Sequence, residues 1–142
     1  MPLVISCGGN SGSQAATLVT RALALAEITP KDWLRIVRRE VIAAMLLGTM
    51  LGALGFGCAA LFTHTSVAST GFPFMLSLTV ALSITGVVLW GTLLGSLLPL
   101  LLKRFGVDPA VASSPMVATL MDASGTLIYL GAAIALLTGK LL

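Results

Sequence analysis

The chain has 142 residues, of which 57% are hydrophobic and 9% charged, with a formal net charge of +3 and a mean hydropathy of +1.06. A soluble domain carries about 25% charged residues, so this composition excludes a water-soluble globular domain and defines a membrane protein. The positive charge does not point to nucleic acid, because the basic residues are confined to short connections beside apolar segments, where they report topology.

The first segment runs from Met1 to about Ala26 and is interrupted at Gly8-Gly9-Asn10-Ser11-Gly12-Ser13; Gln14 to Ala26 reads as helix. Irregular backbone inside a membrane is tolerated only against protein or a water-filled cavity, and a broken helix turns carbonyls and amide dipoles toward ions. A broken first helix is therefore expected; the competing reading is a packing kink for close helix contact. Seven residues precede Gly8, about 10 Å of helix, so the chain is expected to begin inside a membrane helix, as a fragment would. No Lys-Ser/Thr follows the glycines, as a phosphate loop requires, and Ser13 stands where a nucleophile elbow around Ser11 needs glycine. Met1 to Ile5 carries no basic region of a signal peptide.

The second segment opens at Thr29-Pro30-Lys31-Asp32, with a capping Thr, a first-turn Pro and an acid at the positive helix end. It passes through Trp33, Arg35, Arg38, Arg39 and Glu40 into an apolar span ending near Phe62. The third runs from about Phe74 to Leu102, with Pro99 near its end. No charge occurs from Val41 through Leu102, room for two crossings of about 20 residues each. Thr63-His64-Thr65-Ser66 and Gly71-Phe72-Pro73 mark the connection, with His64 as a solvated loop residue. The fourth segment starts at Asp108-Pro109 and ends near Gly139. Continuous apolar runs without period-2 alternation give helices rather than a barrel, and the fold class is an all-α bundle with four membrane segments. Gly48-x3-Gly52 and Gly91-x3-Gly95 favour close helix crossings. Cys7 and Cys58 lack metal-ligand or redox spacing and read as small apolar fillers.

Five Lys/Arg lie between Arg21 and Glu40, none between the second and third segments, and Lys103 and Arg104 between the third and fourth. The positive-inside rule makes the first and third connections cytoplasmic and leaves the C-terminus outside. Trp33 and Phe105, beside basic residues, are expected as interfacial anchors.

Asp122 is the only charged residue between Asp108 and Lys140. An ionisable group at membrane depth is by default a functional-site hypothesis. Helical spacing puts Ser114, Ala118, Thr119, Asp122, Gly125, Thr126 and Tyr129 on one stripe, with Val117, Leu120, Leu127, Leu130 and Ile134 opposite. Small residues let a helix or a hydrated ligand approach, and carbonyls near Ala118 are candidates to face a cavity. No Lys or Arg lies at comparable depth, so a proton, a cation or neutral donors must satisfy the carboxylate. A cation path explains its retention; a hydrogen bond to a neighbouring helix is the structural alternative.

Gly8 to Leu18 followed by Arg21-Ala22-Leu23-Ala24, and Val107-Asp108-Pro109-Ala110 with Pro115 to Tyr129, resemble the second and fifth membrane helices of the MgtE family of magnesium channels and transporters. The resemblance covers nearly the whole chain as a segment plan. It implies a homodimer with a pore on its two-fold axis, Mg²⁺ as transported ion, Asp122 as the ion-binding carboxylate, and the Ala118 carbonyl as a further contact to the hydrated ion. It also implies that Asn10 and Gly9 border the pore together with Ser114 and Gly125. Many members have Asn where Ser114 stands, which alters a polar contact near the inner mouth. The first membrane helix and the cytoplasmic N-terminal and cystathionine-β-synthase domains usual in the family are not among these residues, so residues 1–142 are expected to be its transmembrane domain, in the cell (inner) membrane. No nucleic-acid partner is implied; the partners are the ion, the bilayer and a second copy.

Mg²⁺ gives up its water reluctantly and is held by one or two carboxylates; one Asp per subunit, doubled by a two-fold axis, matches that count. An inside-negative potential favours entry of a divalent cation by about 4.6 kcal/mol per 100 mV. Oxygen ligands alone leave Mn²⁺, Co²⁺ and Ca²⁺ open. A cation-coupled magnesium antiporter and a non-transporting subunit that needs a partner are the competing functions. An enzyme is disfavoured, because no nucleophile and base are paired.

Overall fold

The computed structural model describes residues 2–66, 73–112 and 114–141, with side chains described outside 64–66, 73 and 138–141. Four helices follow one another: α1 (Pro2–Ala24), α2 (Trp33–Ser66), α3 (Pro73–Arg104) and α4 (Ser114–Leu141). Single 3-10 turns, Pro30–Asp32 and Pro109–Val111, lead into α2 and α4. Both turns form where the sequence places a cap followed by proline. Asp32 reaches back to accept from the Thr29 N–H at 2.9 Å and the Thr29 hydroxyl at 2.8 Å, and Asp108 accepts from the Ala110 N–H at 2.9 Å. The caps thus open short turns rather than the long helices themselves.

The all-α bundle is as expected, but the break in its first helix is not there: α1 is continuous from Pro2 to Ala24. A mid-helix glycine costs about 1 kcal/mol against alanine, and here tertiary packing offsets that cost. Gly8 and Gly12 are buried and meet Gly91 and Gly95 of α3. A Cβ on Gly12 would stand 2.7 Å from the Gly91 carbonyl oxygen, one on Gly91 would meet the Gly8 carbonyl, and one on Gly95 the Gly12 carbonyl. Four glycines make one close crossing, the packing role that was the competing reading of the motif. With little water to compete for the backbone, the helical hydrogen bonds are retained through the glycine-rich stretch.

Helix α3 is the hub: it packs on α1, α2 and α4, whereas α1 barely touches α2 and lies beside α4. Its interior faces carry Ile84, Val87 and Val88, which join Val4, Ala16, Val117 and Met121 in the main core. The central helix also buries Ser77, Thr79, Ser83, Thr92 and Ser96, small enough for close packing. Thr79 and Thr92 donate to their own i−4 carbonyls at 2.8 Å. Thr85 reaches across to the Gly48 carbonyl of α2 at 3.0 Å, where Gly48 and Gly52 let α2 approach Thr85 and Ala81.

Helices α2, α3 and α4 contain stretches long and apolar enough to cross a membrane. The fourth, α1, has 23 residues, about 34 Å of helix, and packs within the same bundle. A second core cluster of Val19, Leu23, Ile36 and Leu100 ties the end of α1 to the start of α2 and the end of α3, which fixes an up-down arrangement. Arg21, Lys31, Arg35, Arg38, Arg39, Lys103 and Arg104 belong to that end, as do Trp33 and Phe105, 52% and 77% exposed. His64 falls in the last turn of α2 rather than in a loop, because the helix runs past Phe62 to Ser66. The expected turn residues Gly71 and Phe72 lie outside the described residues. Reporter fusions after Ile28, Ala68, Gly106 and Leu142 are expected to alternate in, out, in, out by the positive-inside rule; protease accessibility in spheroplasts checks the order, and any other order defeats it.

Candidate functional site

Helix α4 presents two unlike faces. Val117 and Met121 are fully buried, and Gly125 is buried with them. Ser114, Pro115, Thr119, Asp122 and Ala123 are exposed. Val87, at the middle of α3, is the neighbour that fixes the height: it lies 3.4 Å from where a Cβ on Gly125 would stand, with the Met121 methyl 3.7 Å from the same point. Asp122 follows Met121 directly, so its carboxylate sits near mid-height of the bundle.

Among the described residues, no side chain hydrogen-bonds or ion-pairs with that carboxylate. The neighbouring hydroxyls are turned to their own helix: Thr126 donates to the Asp122 carbonyl at 2.6 Å, Thr119 to the Pro115 carbonyl at 2.9 Å and Ser124 to the Leu120 carbonyl at 2.7 Å. Ser124 also accepts from the Trp90 indole at 3.0 Å, which fastens α4 to α3 on the side away from the acid. The hydrogen bond to a neighbouring helix that would make Asp122 purely structural is absent among the described residues.

Helix α1 runs along the Ser114 edge of α4. Ser13 donates to the Ser114 carbonyl at 3.2 Å, and the Thr17 and Ser114 hydroxyls share a hydrogen bond at 3.4 Å. Ser13, Gln14, Thr17, Leu18 and Ser114 line a cleft of about 420 Å³. Farther along α1, Asn10 is exposed and donates to Ser6 at 3.4 Å. A strip of small and polar groups therefore runs along the outer side of the α1–α4 pair.

The expected site residues separate into two groups. Asn10, Ser114 and Asp122 are exposed on the adjoining helices α1 and α4, Ala118 is half-buried between them in chain position, and Gly9 is buried, although a Cβ there would meet nothing within 4 Å. Gly125 is turned the other way, against Val87. Ser13, Gln14 and Thr17 were not singled out from sequence. Their signal was the polar spacing Ser6, Asn10, Ser13 and Thr17, three or four residues apart, which marks one helical face once the segment is read as unbroken.

Among the described residues no three His, Cys, Asp or Glu side chains gather around one point. The strip instead offers one carboxylate, hydroxyls and carbonyls. Such a set suits a hard cation that keeps several waters, because the water supplies most of the coordination.

Fold and site together define a multi-pass helical membrane protein with a polar, singly acidic strip on its outer side. The chain belongs to the MgtE family, described as divalent cation transporters, whose family profile matches residues 1–132. It is 42% identical over 133 residues to a magnesium transporter MgtE of Thermus thermophilus, covering 94% of this chain and 28% of that protein. To a magnesium transporter MgtE of Bacillus subtilis it is 33% identical over 135 residues, 95% of this chain and 28% of that protein. A third, from Enterococcus faecalis, is 29% identical over 127 residues. The chain thus spans just over a quarter of the length of these relatives.

Proposed function

We propose that this chain is the transmembrane domain of a magnesium-transporting pore in the cell membrane, the inner membrane where there are two. Two copies face each other across a two-fold axis through their α1–α4 strips. Asp122 from each copy binds one hydrated Mg²⁺, with the Ala118 carbonyl as a further contact through water. Asn10, Gly9 and Ser114 line the approach, and Gly125 serves by holding α4 close to α3 at that height.

The observation that carries this reading is the exposed carboxylate of Asp122, at mid-height of a membrane bundle and without a partner among the described residues. Alone in hydrocarbon such a group is costly; two of them around a hydrated divalent cation are compensated. Symmetry supplies the second carboxylate that Mg²⁺ favours and that one chain lacks. The relatives named magnesium transporters support the choice of ion.

Proteoliposomes of the full chain with an internal Mg²⁺ indicator test the proposal, with uptake above empty liposomes expected. A cysteine at Thr119, exposed one turn before Asp122, is expected to give an oxidised dimer in membranes of a Cys58→Ser background. No uptake would refute transport by this chain, and a purely monomeric band would refute the facing strips.

A further inference from the structure

Arg35, Arg38 and Arg39 leave the first turns of α2 on one face, being three and four residues apart. All three are exposed, and with Leu34 and Ile42 they line a groove of about 670 Å³. Leu34 and Ile42 are 64% and 56% exposed, so apolar side chains flank the charges on both sides along the helix. Among the described residues no carboxylate lines this groove. Asp32 is turned back onto Thr29, and Glu27 and Glu40 line the neighbouring cleft with Arg21 and Arg39. The groove sits where α2 enters its uncharged span, next to Trp33, an interfacial side chain by position and exposure.

Three guanidiniums, of which Arg35 and Arg39 are only partly offset by Asp32 and Glu40, stand one to two turns before the exposed Ile42 of the apolar span, and this matches the chemistry of one molecule: a phosphate with acyl chains below it. Arginine forks bind phosphate oxygens in a bidentate manner, which lysine does not. Juxtamembrane basic clusters attract anionic lipid, and salt screens the attraction. We propose that this groove holds the head group of an anionic phospholipid in the leaflet at the basic end of the bundle. Ile42, farther into the span than the arginines, lies against the start of its chains. The lipid would hold the entry of α2, and through the Ile36–Leu100 cluster the end of α3, at a fixed depth.

The test uses the full chain in neutral detergent with equimolar phosphatidylglycerol and phosphatidylcholine, and native mass spectrometry to count retained lipid. Phosphatidylglycerol is expected to be kept about tenfold over phosphatidylcholine. In R35Q/R38Q/R39Q the ratio is expected to fall to about one, and in R35K/R38K/R39K, which preserves charge and topology signal, to an intermediate value. Equal retention of the two lipids by the unsubstituted chain would overturn the proposal, as would a full preference persisting in the glutamine variant. Displacement of the lipid by millimolar inorganic phosphate would show a free-anion site, and displacement by a soluble polyglutamate peptide a protein-docking surface; either result also overturns it. The unsubstituted chain and the lysine variant decide the matter even if the glutamine variant does not fold. Because lipid retention is read without transport, the result is independent of the pore assignment.

Discussion

Asp122→Asn is expected to lower Mg²⁺ uptake in proteoliposomes at least about a hundredfold while leaving the helical fold intact. Interactions of a charged group with its partner contribute about 1.5–3 kcal/mol each, and the two-fold arrangement proposed above removes two carboxylates at once. The loss of about 3–6 kcal/mol corresponds to two to four decades. Stability moves little or in the opposite direction, because the side chain is exposed and bonded to no described neighbour. Asparagine removes a charge whose placement at mid-membrane costs about 2.5–3.5 kcal/mol on insertion scales. Circular dichroism and an SDS unfolding titration of the same samples separate the two effects. Asp122→Glu, with the charge kept and one methylene added, is expected to retain measurable flux. Unchanged uptake in the asparagine variant would remove Asp122 from the ion path.

Gly95→Leu is expected to destabilise the bundle by about 3 kcal/mol or more, at the upper end of what overpacking costs. Space is lacking even for a Cβ: it would meet the Gly12 carbonyl group, and at Gly91 the Gly8 carbonyl. Backbone cannot rotate away as a side-chain tip can, so α1 and α3 must separate along their crossing. Separation strips Val4 and Ala16 from Val87 and Val88, all of them in the main core. Gly57→Ala is the control, since nothing lies within 4 Å of its added carbon, and the gain in helix propensity is about 1 kcal/mol. The midpoint of SDS-induced unfolding checks both. Equal midpoints for Gly95→Leu and the unsubstituted chain would show that the crossing is looser than described.

Membrane helices were legible because hydropathy depends on composition over some twenty residues, which no local detail overrides. Caps at Thr29 and Asp108 were legible for the same reason that they form: a short polar side chain followed by proline has few alternatives. The course of α1 was misread because Gly8 to Ser13 carries the residues that end helices in water. In an apolar bundle those residues are what a close partner requires, and the partner, Gly91-x3-Gly95, lies some eighty positions away. That misreading also hid Ser13 and Thr17, which belong to the candidate strip only if the helix is unbroken. Asp122 stood out because charge is scarce. The inward turn of Gly125 did not, since which side of a stripe faces a neighbour is decided by tertiary contact with Val87.

The seam between α1 and α3 has a mechanical consequence. Where carbonyl groups rather than side chains form the contact, there is no cushion of rotamers to absorb sliding, and the two rods move as one piece. With α4 joined to the same piece through Trp90 and Ser124 and through Ser13 and Ser114, a protomer has little internal play on its acidic side. In the proposed dimer, dilation of a passage between two such bodies comes from rocking of one whole unit against the other, and stiffness within each unit sets how far that rocking carries.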